Sequence, residues 1–156
     1  MVKKLLIAED NKFTAMQYKK FFEANGYDVD VYDNGSTCLQ KYENELRYRK
    51  IVQKDKTPPY DYVLLDQDMP KMTGSQVSEK IHKLCTRQRI IFLSAYGQSI
   101  MQSNESTKDA YLQIMQKPFS LEFLLKKITP KSFSSIARSN QENNLLTATQ
   151  SPETIR

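Results

Sequence analysis

Residues able to handle a phosphoryl group follow four separate apolar runs in this chain. Glu9 and Asp10 come directly after Leu5-Leu6-Ile7-Ala8, and Asp66 directly after Val63-Leu64-Leu65. Ser94 and Ala95 follow Ile90-Ile91-Phe92-Leu93, and Lys117 comes just after Leu112, Ile114 and Met115. Three carboxylates brought together would repel, at about 4 kcal/mol for each pair some 4 Å apart in an effective dielectric near 20. A fold tolerates such a cluster if protons or a cation relieve it. Oxygen ligands without His or Cys suit a hard ion, and Mg²⁺ typically uses one or two carboxylates and keeps several waters. A hydroxyl from Ser94 and an ammonium from Lys117 would supply a phosphoryl group with a donor and a counter-charge. Asp66 then becomes a candidate nucleophile, since a carboxylate can form an acyl phosphate.

Each residue also has a plainer reading. Asp66 could cap a turn, Glu9 and Asp10 could cap the following helix, Ser94 could be an ordinary strand-end hydroxyl, and Lys117 could decorate the surface. The combination argues against coincidence, because every one of these groups stands just past the apolar part of its own run.

Elements that could position such groups are legible in the hydrophobic pattern. Short continuous apolar runs mark strands buried on both faces of a parallel sheet. Helical spacing intervenes: Phe13, Met16, Phe21, Phe22 and Ala24 predict a helix over Thr14–Asn25, capped by Asn11 or Thr14 and closed by Gly26. Val29 and Val31 alternate with Asp28 and Asp30, as on a sheet edge. A long polar helix from about Thr37 to Gln53 turns Leu39, Tyr42, Leu46 and the Arg49 stem inward, with Ser36 or Thr37 as its cap. Lys54 to Pro59 breaks the pattern. Gly74 and Ser75 open a third helix with Val77, Ile81, Leu84 and Cys85 as its apolar face. A short helix around Ser99–Ser106 is expected, then a last one after Ser120 carrying Leu121, Leu124, Leu125 and Ile128. The alternation predicts an α/β fold with a five-stranded parallel sheet, order 2-1-3-4-5, and helices on both faces. That order sets the ends of strands one and three side by side at the switch point, where open sheets bind ligands.

Composition narrows the class. The 156 residues suit one domain, here residues 1–130, and 39% hydrophobic with 26% charged residues is ordinary for a globular protein. Residues 131–156 are rich in Ser, Asn, Gln and Thr, and are expected to form a mostly disordered tail. The net charge of +5 is spread along the chain, as on solvated helix faces, not gathered into a nucleic-acid-binding arm. Cys38 and Cys85 are too few for a zinc site or a disulfide framework, which points to the cytoplasm. Glu9 and Asp10 end the N-terminal apolar run too early for a signal peptide or a membrane span.

With Glu9–Asp10, Asp66 followed by Met69–Pro70 and Gly74, Ser94–Ala95, and Lys117–Pro118–Phe119, the chain from Lys3 to about Lys127 resembles a receiver domain of two-component signalling. The resemblance implies the flavodoxin-like receiver fold and phosphorylation of Asp66 by the phosphohistidine of a histidine kinase or histidine phosphotransfer protein. It implies Mg²⁺ held by Asp10, Asp66 and the Asp68 backbone carbonyl, with Glu9 acting through a metal-bound water. Lys117 would pair with the phosphoryl oxygens, and Ser94 with Ala95 would form the switch segment.

One position departs from the family pattern. The switch aromatic, three residues before the Lys, is Ile114 here, and Tyr111 or Tyr96 is the available substitute. The Tyr42–Pro59 region is longer than the family norm, and His82 reads as an exposed surface residue. Asp66-Gln67-Asp68 also suggests a phosphatase of the haloacid dehalogenase type. Against that stand its place mid-chain, the Met-Pro that follows, and the lack of an acidic pair after Lys117. A receiver that only binds partners is the third reading. No DNA-binding module is expected, because the segment after Pro130 is short and poor in apolar residues, so output would run through a downstream protein partner.

Overall fold

The computed structural model describes residues 2–96 and 110–130. Its elements run β1 (Lys3–Ala8), α1 (Lys12–Ala24), β2 (Tyr27–Tyr32), α2 (Gly35–Ile51), β3 (Tyr62–Asp66), α3 (Gly74–Leu84), β4 (Ile90–Ser94), β5 (Leu112–Gln116) and α4 (Leu121–Ile128). The five strands are parallel, in the order β2-β1-β3-β4-β5. Contacts divide the chain into two units, Met1–Leu121 and Glu122–Arg156. The first holds the whole sheet. In the second, α4 carries buried Leu124 and Ile128. The helix expected around Ser99–Ser106 and the polar segment 131–156 lie outside the described residues.

Burial follows the apolar runs. Every residue of β3 and of β4 is buried, as befits strands at the centre of a covered parallel sheet. Burying each Leu, Ile or Val contributes about 1.5–3 kcal/mol, so these runs dominate the stability of the sheet. On one face Leu6, Ala8, Val63, Leu65, Ile90 and Phe92 pack with Leu39, Tyr42 and Leu46 of α2 and Val77 and Ile81 of α3. By strand alternation Leu5, Ile7, Leu64, Ile91 and Leu93, all buried, point to the other face.

Local signals explain the helix ends. Asn11 caps α1 by accepting the Thr14 N–H at 3.0 Å, and Gly26, at φ 87°, ends it in the left-handed conformation that lacks a Cβ penalty only for glycine. α2 is capped by Asn34, not by Ser36 or Thr37, and therefore starts at Gly35. Thr73 and Gln76 form a reciprocal capping box on α3.

Several expectations need correction. Phe13 and Met16 are not part of the core face of α1. They are 71% and 56% exposed, while Ala15, Tyr18 and Phe22 are buried. Ala15, Tyr18 and Phe22 follow the i, i+3, i+7 spacing of a single helix face, and Phe13 and Met16 lie off that face. Leu84 is exposed, beyond the point where α3 leaves the core. His82 is half-buried, not exposed, and its Nε2 lies 3.0 Å from the Gln88 carbonyl.

Gln88 carries no signal of its role in the sequence pattern. It is fully buried, accepts the Tyr42 hydroxyl at 3.0 Å and donates to the Tyr60 carbonyl at 2.9 Å. Tyr60 in turn donates its hydroxyl to Asp30 at 2.7 Å. A buried amide is tolerated because its donors and acceptor are used.

Candidate functional site

Strand register assembles the site. Ala8 pairs with Leu65, so Glu9 stands level with Asp66 one residue further on. Asp66 pairs with Leu93, which puts Ser94 one residue beyond it, and Ser94 pairs with Gln116, which puts Lys117 next in line. A backbone hydrogen bond of 2.8 Å from the Lys117 N–H to the Ser94 carbonyl extends the ladder to this point. The peptide between Lys117 and Pro118 is cis.

Carboxylate oxygens of Glu9, Asp10 and Asp66 all lie within 4.8 Å of one another. Glu9 and Asp66 are buried, whereas Asp10 is exposed at the rim. The Lys117 ammonium faces both buried acids, 3.5 Å from Asp66 Oδ1 and 3.9 Å from Glu9 Oε2. Burial, reinforced by the adjacent Asp66 carboxyl, pushes the Glu9 carboxyl up to about 8, and Lys117 pulls only partly the other way. Among the described residues Glu9 Oε2 has no hydrogen-bond partner. A buried carboxylate oxygen without a partner is costly unless a proton or cation meets it.

The loop after β3 is held tightly. Asp68 donates its backbone N–H toward Asp66 Oδ1 at 3.4 Å, while its own side chain is exposed. Met69 is buried in the core cluster and anchors the loop. The Gln67 side chain accepts both the backbone N–H and the hydroxyl of Ser75, each at 2.9 Å, tying the loop to the start of α3. Gly74 sits so close beneath that a Cβ there would meet the Asp66 carbonyl oxygen at 2.7 Å. Gly74 is marked by its residue type, whereas the tie made by Gln67 is not, because its partner is eight residues away and gives no periodic signal.

Ser94 is buried and its hydroxyl accepts the Tyr96 N–H at 3.0 Å. Ala95 and Tyr96 are exposed at the end of β4, Tyr96 at 70%. Ile114 pairs with Phe92 and packs half-buried against the core cluster. Tyr18 stands beside the site without a sequence signal that marks it. It is buried and stacks on Phe119 at 6.5 Å, and burial with the nearby Glu9 and Asp66 charges keeps its phenol protonated. Among the described residues no helix is long and apolar enough to cross a membrane.

The chain is similar to known proteins in both sequence and fold. The chain is 30% identical over 129 residues to the chemotaxis protein CheY of Bacillus subtilis, covering 82% of this chain and 96% of that protein. It is 24% identical over 128 residues to the response regulator receiver protein CpdR of Brucella abortus, covering 81% and 94%. It also matches 5% of the peroxide stress-activated histidine kinase mak3 of Schizosaccharomyces pombe, with 29% identity over 130 residues and 80% of this chain. Among solved structures, the receiver domain of the histidine kinase CKI1 from Arabidopsis thaliana, complexed with Mg²⁺, superposes with a TM-score of 0.68 at 23% identity, covering 81% of this chain and 92% of that one. The family described as the response regulator receiver domain matches residues 5–129. The chain is a member of the receiver domain family of two-component signalling.

Proposed function

We propose that Asp66 accepts a phosphoryl group from the phosphohistidine of a histidine kinase or a histidine phosphotransfer protein, and that the chain signals through a protein partner. One observation carries this reading: the oxygens of Glu9, Asp10 and Asp66 within 4.8 Å of one another, with the Lys117 ammonium 3.5 Å from Asp66. In the transfer an oxygen of Asp66 forms the new bond to phosphorus as the bond to the donor imidazole nitrogen breaks. The nitrogen keeps the electron pair and the imidazole takes up a proton from solvent.

Mg²⁺ fits the donor set. Three carboxyl groups cluster while one ammonium reaches two of them, all ligands are oxygen, and Glu9 Oε2 has no hydrogen-bond partner among the described residues. Asp10, Asp66 and the Asp68 backbone carbonyl would hold the ion, with Glu9 reached through water. Bound there, Mg²⁺ supplies charge neutralisation for the phosphoryl oxygens. Lys117 is placed to pair with those oxygens as well. Ser94 releases its hydroxyl from the Tyr96 N–H to donate to the phosphoryl group, and Ala95 moves with it. With Ile114 at the usual aromatic position, Tyr111 or Tyr96 carries the rearrangement outward.

Receiver domains are signalling modules, not enzymes acting on a separate substrate, and the family match displaces the phosphatase reading. Retention of the acids, Ser94 and Lys117 favours a phosphorylated receiver over one that only binds. Residues 1–130 form the receiver unit and 131–156 an appended polar tail, and the free Cys38 and Cys85 suit a reducing cytoplasm. Incubation with a phosphohistidine-bearing phosphotransfer protein tests the assignment. Label should pass to this chain and be lost in Asp66→Asn; label retained by the variant places the acceptor elsewhere.

A further inference from the structure

At the other end of the sheet, a cleft of about 640 Å³ is lined by Lys50, Lys54, Lys56, Leu84, Cys85, Thr86 and Arg87. The last turns of α2 and α3 and the segments leading into β3 and β4 form it. Because the strands are parallel, the cleft lies at the edge opposite Asp66, on the order of 15 Å away along β3.

Four cations at two helix C-termini have an ordinary explanation, since basic side chains complement the partial negative charge there. The magnitudes do not match. Two helix ends supply about −1 in total, which leaves an excess of about +3. The nearest acid in the sequence, Asp55, is already held by Arg49 at 3.3 Å and by the Thr57 N–H at 2.8 Å. Among the described residues none of the four cations has an ion-pair partner. Leu84 lines the cleft at 43% exposure, and Ile51 and Val52, which follow Lys50 in sequence, are 59% and 60% exposed. The chain enters this corner with Lys54 at φ 54°, a left-handed conformation unusual for a residue with a Cβ.

We propose that this cleft docks an acidic segment of a partner protein that also carries Leu or Phe side chains. Helix C-termini present carbonyls, not the N–H groups that cradle phosphate at an N-terminus, so a phosphate ligand finds no backbone donors there. A peptide answers every feature. Its carboxylates meet the four cations, its N–H groups meet helix-end carbonyls, and its apolar side chains cover Ile51, Val52 and Leu84. Docking at this edge leaves Asp66 open, so the partner is held whether or not Asp66 is phosphorylated.

Fluorescence anisotropy on the full chain, with chelator present, tests this using a short labelled peptide of Glu and Asp interspersed with Leu and Phe. The peptide should bind, and its Gln/Asn counterpart should not. Lys54→Glu with Arg87→Glu should weaken binding at least about tenfold, and Ile51→Ser with Val52→Ser should weaken it several-fold. Reversal of Lys126 and Lys127 should leave it unchanged. The substituted positions are exposed, and retained phosphorylation of Asp66 in the Lys54/Arg87 variant shows that it folds. Failure of the acidic peptide to bind overturns the proposal. So does equal loss on reversing Lys126 and Lys127, or tighter binding of tripolyphosphate or an oligonucleotide through the same residues.

Discussion

The ammonium of Lys117 stands 3.5 Å from Oδ1 of Asp66, a pairing across 51 residues of sequence. The same ammonium lies 3.9 Å from Glu9 Oε2, so one cation serves two buried carboxyl groups. Lys117→Ala should therefore destabilise the metal-free protein, by about 1–2 kcal/mol once the partial exposure of the lysine is allowed for. Chemical denaturation with chelator present measures this. Unchanged stability would mean that Lys117 contributes nothing to the cluster.

Glu9 gives the cluster a pH dependence of definite sign. Its carboxyl is raised from 4.5 to about 8 in the folded chain, by burial first and then by Asp66. The folded state thus holds this proton more tightly than the unfolded state. The resulting stability is complete below about pH 4.5 and is lost as pH rises towards about 8. Thermal melts in chelator should show that decline, and Glu9→Gln should flatten it.

A divalent cation should reverse the loss. At about 100 times its dissociation constant, an ion bound only by the folded state adds roughly 2.7 kcal/mol. Asp10→Asn should weaken that gain while making the metal-free protein slightly more stable, by under about 1 kcal/mol because Asp10 is exposed. Melting curves with Mg²⁺ and with chelator separate the two effects. A lower midpoint for metal-free Asp10→Asn would show the acid to be a structural cap.

Gly74→Ala should cost about 1–3 kcal/mol, since the new Cβ would meet the Asp66 carbonyl at 2.7 Å and the loop must shift. The acceptor moves with its backbone, so phosphorylation should slow as well. Denaturant midpoints and labelling rates measured together check both parts.

The central strands and the grouping of acids, hydroxyl and ammonium at their ends were legible because both rest on one-dimensional signals. Val63-Leu64-Leu65 and Ile90-Ile91-Phe92-Leu93 are continuous apolar runs, and Asp66 and Ser94 mark where they stop. Strand order then forced Glu9 to lie beside Asp66. What the sequence concealed depends on contacts between distant residues. Phe13 and Met16 look like core by type, but Tyr18 and Phe22 occupy the inward positions of α1. Gln88 looks like a surface residue until Tyr42 and Tyr60 close around it. Asn34 reads as a turn residue, and only the backbone geometry makes it the cap of α2 in place of Ser36 or Thr37.

The most direct test of the account is intact mass after incubation with a small acyl-phosphate donor and Mg²⁺. The chain should gain the mass of a single phosphoryl group, and Asp66→Asn should gain none. Equal labelling of the Asn variant, or no labelling of the unaltered chain, would contradict the assignment of Asp66 as phosphoryl acceptor.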